Sequence, residues 1–324
     1  MDETSQRPLR PLPPSPIKGR GAVSNPAGRF ETRTSALEPD GWALDPDPPR
    51  ALHTTVAAEV ARRIISRNQS PDIPFEQSIN PYRGCEHACV YCYARPSHAY
   101  LNLSPGLDFE SRLFYKSNAV ELLERELARP GYRCSPINLG ANTDPYQPIE
   151  RELKLTRGLL EVLLRYRHPV TIVTKGAALI ARDLDLLTEL ARERLVMVAI
   201  SLTTLDDELK RVLEPRAANA ASRLKVIRAL REAQVPVMAL TAPIIPFIND
   251  AELEALLQAG AEAGAQAAGY VMLRLPHELK AVFREWLLAH YPLKAEHVMS
   301  LVAQMHGGKT YDAQWGQRQT GTGA

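Results

Sequence analysis

From about residue 115 the chain settles into an alternation of short apolar runs and longer amphipathic stretches. The runs at 137–140, 170–174, 195–201, 235–240 and 268–273 have the length and aliphatic content of buried strands. Helical patterns lie between and after them, at 119–128, 155–165, 179–192, 221–233 and 251–264, the last preceded by Asn249 and Glu252 at capping-box spacing. A further strand near 77–80 makes six β/α units. Strands alternating with helices of this length imply a parallel sheet, and six units suit an open, incomplete barrel. An open doubly wound sheet fits the same periodicity.

Parallel α/β folds bind ligands at the carboxyl ends of their strands, so the polar residues expected there matter most. The segment Gly84-Cys-Glu-His-Ala-Cys-Val-Tyr-Cys-Tyr93 follows the first strand. Asn142-Thr143-Asp144 follows the second, Lys175 the third, and Ser201 with Thr203 and Thr204 the fourth. Cys85, Cys89 and Cys92 form a C-x3-C-x2-C loop that offers three thiolates and no fourth. Thiolate is the usual ligand of iron–sulfur clusters, and the common electron-transfer clusters take four. A 4Fe–4S cluster held by three keeps one iron open to an external ligand, which points to chemistry rather than electron storage. The rival reading is a zinc site completed by His87 or Cys134. Structural zinc sites join two ligand pairs, and here the lone C-x2-C pair has no partner pair.

Composition narrows the class. The 324 residues carry a net charge of +2 and a pI near 8.3, a mildly basic balance that does not mark a nucleic-acid binder by itself. Four cysteines, three of them clustered, exclude a disulfide scaffold and suit a reducing compartment. No apolar stretch reaches the roughly 18 residues of a membrane span, and the N-terminus lacks a secretory apolar region, so the expectation is a soluble, cytoplasmic protein. Residues 1–50 are rich in Pro, Arg and Ser and are expected to be extended or disordered. The core domain is expected over 51–290, with a C-terminal helix and a flexible Gly-rich tail over 291–324.

Taken together, Asn80-Pro-Tyr-Arg-Gly-Cys85 through Cys92-Tyr-Ala-Arg95, Thr143-Asp144-Pro-Tyr-Gln-Pro148, Thr174-Lys175, Ser201-Leu-Thr-Thr204 and Glu214-Pro-Arg216 resemble the radical S-adenosylmethionine superfamily. They are most similar to its spore photoproduct lyase-like, DNA repair photolyase-type branch. The resemblance spans about residues 53–290. It implies a partial (β/α)6 TIM-like barrel, a 4Fe–4S cluster on Cys85, Cys89 and Cys92, and S-adenosylmethionine on the open iron. One electron would then yield methionine and a 5′-deoxyadenosyl radical that takes hydrogen from a substrate.

By position, the resemblance assigns Tyr91 a place beside the adenosine, and gives Thr143 and Asp144 the methionine amino group. It gives Lys175 and Ser201 the ribose or carboxylate, Arg216 a further carboxylate contact, and Tyr93 a place in the hydrogen-return path. It also implies a low-potential electron donor of flavodoxin or ferredoxin type, with a nucleic-acid lesion or modified base as one candidate substrate. The hydrogen-donating Cys of spore photoproduct lyase falls at Ala141-Asn142 here, and Cys134 is the one spare thiol. Glu214 is expected to pair with Arg216 or to cap a helix. A second reading, from another class, is a cluster- or zinc-organised nucleic-acid-binding protein without radical catalysis.

Overall fold

The aliphatic runs form strands where their periodicity places them. In the computed structural model, which describes residues 15–31 and 52–311, the strands in chain order are β1 (Thr55–Glu59), β2 (Ile65–Arg67), β3 (Gln77–Ile79), β4 (Tyr82–Arg83), β5 (Arg112–Lys116), β6 (Ile137–Leu139), β7 (Val170–Thr174), β8 (Val196–Ser201), β9 (Val237–Ile244) and β10 (Ala267–Met272). β3, β6, β7, β8, β9 and β10 lie side by side in that order, each neighbouring pair parallel, and β2 runs antiparallel along the outside of β3. A doubly wound sheet reverses its strand order at a switch point. This sheet never reverses, which selects the partial barrel; β10 and β2 are its two free edges.

Helices return the chain between strands because their apolar residues share one face. In Leu155–Arg165 the buried positions Thr156, Leu159, Leu160 and Leu163 recur at helical spacing. The helix expected over 179–192 is two, Ala178–Arg182 and Leu184–Arg192. They part at buried Asp183, whose carboxylate accepts from Arg157 and from both Nε and Nη2 of Arg182. The capping box at Asn249 and Glu252 does not form. Asn249 Oδ1 accepts from Ile245 N at 2.7 Å, and Glu252 accepts from Thr204 Oγ1 and Leu205 N at 2.6 and 2.7 Å. Tertiary partners claim both side chains, and Leu253–Glu262 starts from a 3-10 turn instead.

Two hydrophobic cores result. The first joins strand residues Ile79, Ile137, Leu139, Ile172, Val198 and Ile200 to helix residues such as Leu159, Leu163, Leu187 and Leu190. The second lies over the strand ends. It joins Cys89, Val90 and Tyr91 to Leu213, Ile245 and Leu273, and to Phe283, Trp286 and Leu287 of the helix Leu279–His290. Val298 and Val302 of the helix Ala295–Met305 complete it.

Two features depart from expectation. β1, β5 and β4 form a separate small sheet, β1 parallel and β4 antiparallel to β5. Residues 15–31 have neither helix nor strand, yet Arg20, Gly21, Ala22 and Val23 are buried, so this part of the expected leader is packed. The rest of 1–50, and 312–324 of the expected tail, lie outside the described residues. Among the described residues no helix is long and apolar enough to cross a membrane.

Candidate active site at the strand ends

The thiol loop leaves β4 at Gly84, whose φ of +76° and crowded surroundings leave no room for a Cβ beside Phe109 O and the Leu113 side chain. Ala88 also takes a left-handed φ, of 60°. Backbone bonds from Ala88 N to Cys85 O, Cys92 N to Cys89 O and Arg95 N to Cys92 O, at 3.3, 3.3 and 3.1 Å, wind the loop tightly. Cys85 and Cys89 are buried, Cys92 half-buried, and none is in a disulfide. Burial, with Asp144 and the neighbouring thiols, pushes Cys85 well above its ordinary pKa. Burial, with Glu214, pushes Cys89 up to about 12.

Three uncrosslinked thiols on one buried loop suit a thiolate-binding metal group, which displaces their protons and supplies compensating positive charge. The zinc alternative finds no fourth ligand, since both candidates, His87 and Cys134, are placed elsewhere. Zinc draws its thiolates in to about 2.3 Å from one ion, and among the described residues no three Cys, His, Asp or Glu side chains converge on a single-ion site. A multi-iron cluster binds each thiolate through a different iron and needs no such convergence. His87 turns its Nδ1 toward Asp144 Oδ2 at 3.2 Å. Cys134 is exposed and precedes β6, at the opposite end of the sheet.

Beside the thiols stands a buried polar network that sequence spacing did not reveal. Glu214 accepts from the Tyr91 hydroxyl, from Thr203 Oγ1 at 2.7 Å and from Arg223 Nη2. Arg223 Nη1 also donates to Ser201 O at 3.0 Å, which ties the end of β8 to the network. Burial raises the Glu214 pKa, yet Arg223 and Lys175 outweigh it and hold the carboxyl down at about 2. Glu214 therefore pairs with Arg223, not with Arg216 as expected, because Arg223 projects from the helix Ala220–Glu232 while Arg216 turns to Glu86 at 2.7 Å.

Lys175, just past β7, has its Nζ 5.6 Å from the Tyr91 ring centroid, and its ammonium makes no hydrogen bond or ion pair among the described residues. Desolvation lowers its pKa, but Cys89 and Glu214 prevail and keep the ammonium above its ordinary value. Asp144 is far more committed. Its Oδ1 accepts from Thr174 Oγ1 and Tyr146 N, and its Oδ2 from Lys175 N at 2.7 Å. Against the effect of burial, His87 and these donors hold its carboxyl well below the usual range.

The remaining expected residues stand as follows. Thr143 is buried and donates to Tyr82 O at 3.1 Å. Ser201 closes β8 and is buried. Tyr93 is half-exposed, donates to Ala141 O, and lies under the Arg274 guanidinium at 4.8 Å. The structure thus brings Cys85, Cys89, Cys92, Tyr91, Lys175 and Ser201 to one rim, with Thr143 and Asp144 beside them and Arg216 held by Glu86. His98, close to the site, is buried with Nε2 at Arg112 O, and burial lowers its pKa to about 4. It is a neutral packing residue.

A second missed pair is Arg95 with Glu110, both fully buried. Arg95 Nε donates to Cys89 O at 2.9 Å, and Nη1 to Pro105 O and Gly106 O. An arginine three residues past the last motif cysteine was the signal that could have found it.

Six parallel strands in chain order, with a three-thiol loop after the first, define a partial-barrel α/β protein built around a thiolate-held group. The sequence pattern of the Radical SAM superfamily matches residues 79–259, and the chain belongs to that superfamily. Membership implies a 4Fe–4S cluster and S-adenosylmethionine as the cofactors.

The uncharacterized protein Rv2578c of Mycobacterium tuberculosis is 39% identical over 222 residues, 68% of this chain and 65% of that one. The match therefore spans less than two thirds of that relative's length. The uncharacterized protein MJ0683 of Methanocaldococcus jannaschii is 30% identical over 174 residues, 54% of this chain and 62% of its own. Among solved structures, a Cys-to-Ala variant of spore photoproduct lyase superposes with a TM-score of 0.54 at 17% identity, covering 75% of this chain and 68% of the other. The same enzyme complexed with dinucleoside spore photoproduct gives 0.52 at 16% identity over the same shares. These likenesses establish the shared fold.

Proposed function

We propose that the chain abstracts a hydrogen atom from an organic substrate held at the strand ends. Bound together, the cofactors supply one-electron cleavage of the C5′–S bond, converting S-adenosylmethionine to methionine and a 5′-deoxyadenosyl radical that takes the hydrogen. Cys85, Cys89 and Cys92 would hold the cluster, and with three thiolates it would keep the capacity to take S-adenosylmethionine as an external ligand. Lys175 suits the carboxylate, being an ammonium without an acidic partner, and Ser201 assists it on the carboxylate or ribose.

Tyr91 flanks the adenosine with its ring fixed through Glu214. Thr143 and Asp144 face the amino group, Asp144 by charge, since its oxygens already accept three protein donors. Arg216 would reach a carboxylate only by leaving Glu86. Tyr93 is the candidate for the hydrogen-return path. Ala141 and Asn142 supply no thiol there, and Cys134 sits at the far end of the sheet, which argues against spore photoproduct itself as the substrate.

The observation that carries this proposal is the trio of free, largely buried thiols on one loop at the strand ends. Anaerobic reconstitution with iron and sulfide, then dithionite and S-adenosylmethionine, should yield 5′-deoxyadenosine; none above a Cys89→Ala control would overturn it. Cluster loading without 5′-deoxyadenosine, together with steeply salt-dependent nucleic-acid binding, would favour the non-catalytic reading instead.

Likeness to an enzyme solved with a dinucleoside photoproduct supports a nucleic-acid lesion or modified base as substrate, and the chemistry calls for a flavodoxin- or ferredoxin-type electron donor. Deuterium transfer from labelled damaged DNA or RNA into 5′-deoxyadenosine would support the substrate class. Absence of transfer from either would retire it.

A further inference from the structure

Residues 15–31 lie outside the stretch that matches the superfamily, yet they are built into its most delicate part. Gly21 rests on the thiol loop so closely that a Cβ there would collide with the carbonyl of Ala88, the residue before Cys89. One turn further on the contact is reciprocal: Gly106 has no room for a Cβ because Ser24 O occupies it. Leu107 N donates to that same Ser24 O at 3.1 Å.

Between these two close approaches the strap supplies the missing half of a buried charge pair. Gly21 N and Ala22 N donate to the two carboxylate oxygens of Glu110 at 3.0 and 2.7 Å. Glu110 pairs with Arg95, and Arg95 Nε holds Cys89 O at 2.9 Å. Arg20 adds a bond from Nη1 to Glu110 O at 2.9 Å. A relay of contacts thus runs from strap backbone to Glu110, to Arg95, to the carbonyl of a cysteine. Without the strap, a carboxylate that is fully buried here would lose two of its donors, a costly state for a buried charge.

The same segment also reaches the helix that follows β10. Ser24 donates to Glu285, and Arg29 pairs with Glu278 at 2.9 Å, both acids lying in or next to the helix that follows β10. It also holds the segment following the thiol loop, where Ser104 Oγ donates to Pro26 O at 2.7 Å, and the segment before β1, where Arg20 Nη2 donates to Leu52 O at 2.7 Å. The strap therefore joins the helix that follows β10 to the segment that follows the thiol loop.

We infer that residues 15–31 are a positioning strap, acting through Gly21 on the Ala88 carbonyl and through Glu110 and Arg95 on Cys89, which fixes the Cys85–Cys92 loop in its cluster-holding shape and seals it from oxidants. The inference rests on the proposed cluster, and the test separates the two. Full-length wild type, Gly21→Ala, Glu110→Gln and the exposed-site control Lys18→Ala would be reconstituted anaerobically. Iron and sulfide per chain, the rate of visible bleaching in air, and tryptic cleavage after Arg20 would then be read, with circular dichroism verifying the fold.

Wild type and Lys18→Ala should load fully and resist cleavage. Gly21→Ala should keep its circular dichroism, be cut at Arg20, and bleach about tenfold faster, local opening being what admits the oxidant. Glu110→Gln should load less iron. Gly21→Ala that loads and bleaches like wild type, whether or not it is cut at Arg20, overturns the strap's role and leaves the radical reading intact. A wild type that takes up no iron overturns both.

Discussion

The two hydrophobic cores of this molecule are built on different terms. The one under the sheet comes from regular elements whose aliphatic residues recur at strand and helix periods. The one over the strand ends is made of a thiol loop, turns, Ala22 of the strap and two C-terminal helices. It adjoins two buried ion pairs, Arg95–Glu110 and Glu214–Arg223. Buried pairs contribute little net stability relative to apolar packing, but they fix where polar groups point. The first core holds the molecule together; the second aims its chemistry.

Removing one side of a buried pair should test that contrast most severely. Glu214→Ala, which strands Arg223 without a partner, should lower the unfolding free energy by about 3–5 kcal/mol in urea denaturation; a loss below about 1 kcal/mol would erase the distinction. Leu163→Ala, in the first core, should cost about 2–5 kcal/mol by the same measurement. It should leave iron content unchanged, and a parallel loss of iron would show that the cores are not separable.

His98 tests the rim by pH. Its folded pKa of about 4 lies below the ordinary 6.5, so the unfolded chain protonates first. The neutral-His98 contribution is thus fully present above pH 6.5 and is lost as pH falls toward 4, by up to about 3 kcal/mol. A His98→Gln variant should show a shallower decline over that window. Tyr91→Phe, which deletes one donor to Glu214, should cost about 1–2 kcal/mol and slow 5′-deoxyadenosine formation. Lys175→Met should change stability by less than about 0.5 kcal/mol while raising the S-adenosylmethionine concentration needed for half-maximal cleavage.

The first core was legible in the sequence because each strand and helix announces itself through its own period. The boundaries of β7 and of the helix Leu155–Arg165 were matched to the residue. β1 was not, since four of its five residues are exposed, and β4 is only two residues long. At the site, the cysteines stood out through their spacing, whereas the partners of Glu214 did not. Arg216 is nearer in sequence than Arg223, and only the direction of the helix Ala220–Glu232 decides between them. The strap lies in a stretch expected to be extended or disordered, because its Pro-, Arg- and Ser-rich composition offers little apolar surface to bury. Yet at Gly21 the glycine serves close approach.

The sequential strand order has a consequence for how the protein is made. Cys85, Cys89 and Cys92 leave the ribosome early, while Arg223 and Glu285, which complete their surroundings, emerge much later. At about 5–20 residues per second, that interval is on the order of ten seconds or more. The nascent thiols spend it without the C-terminal helices packed beside them, so a chain stalled before residue 285 presents cysteines that the finished fold buries.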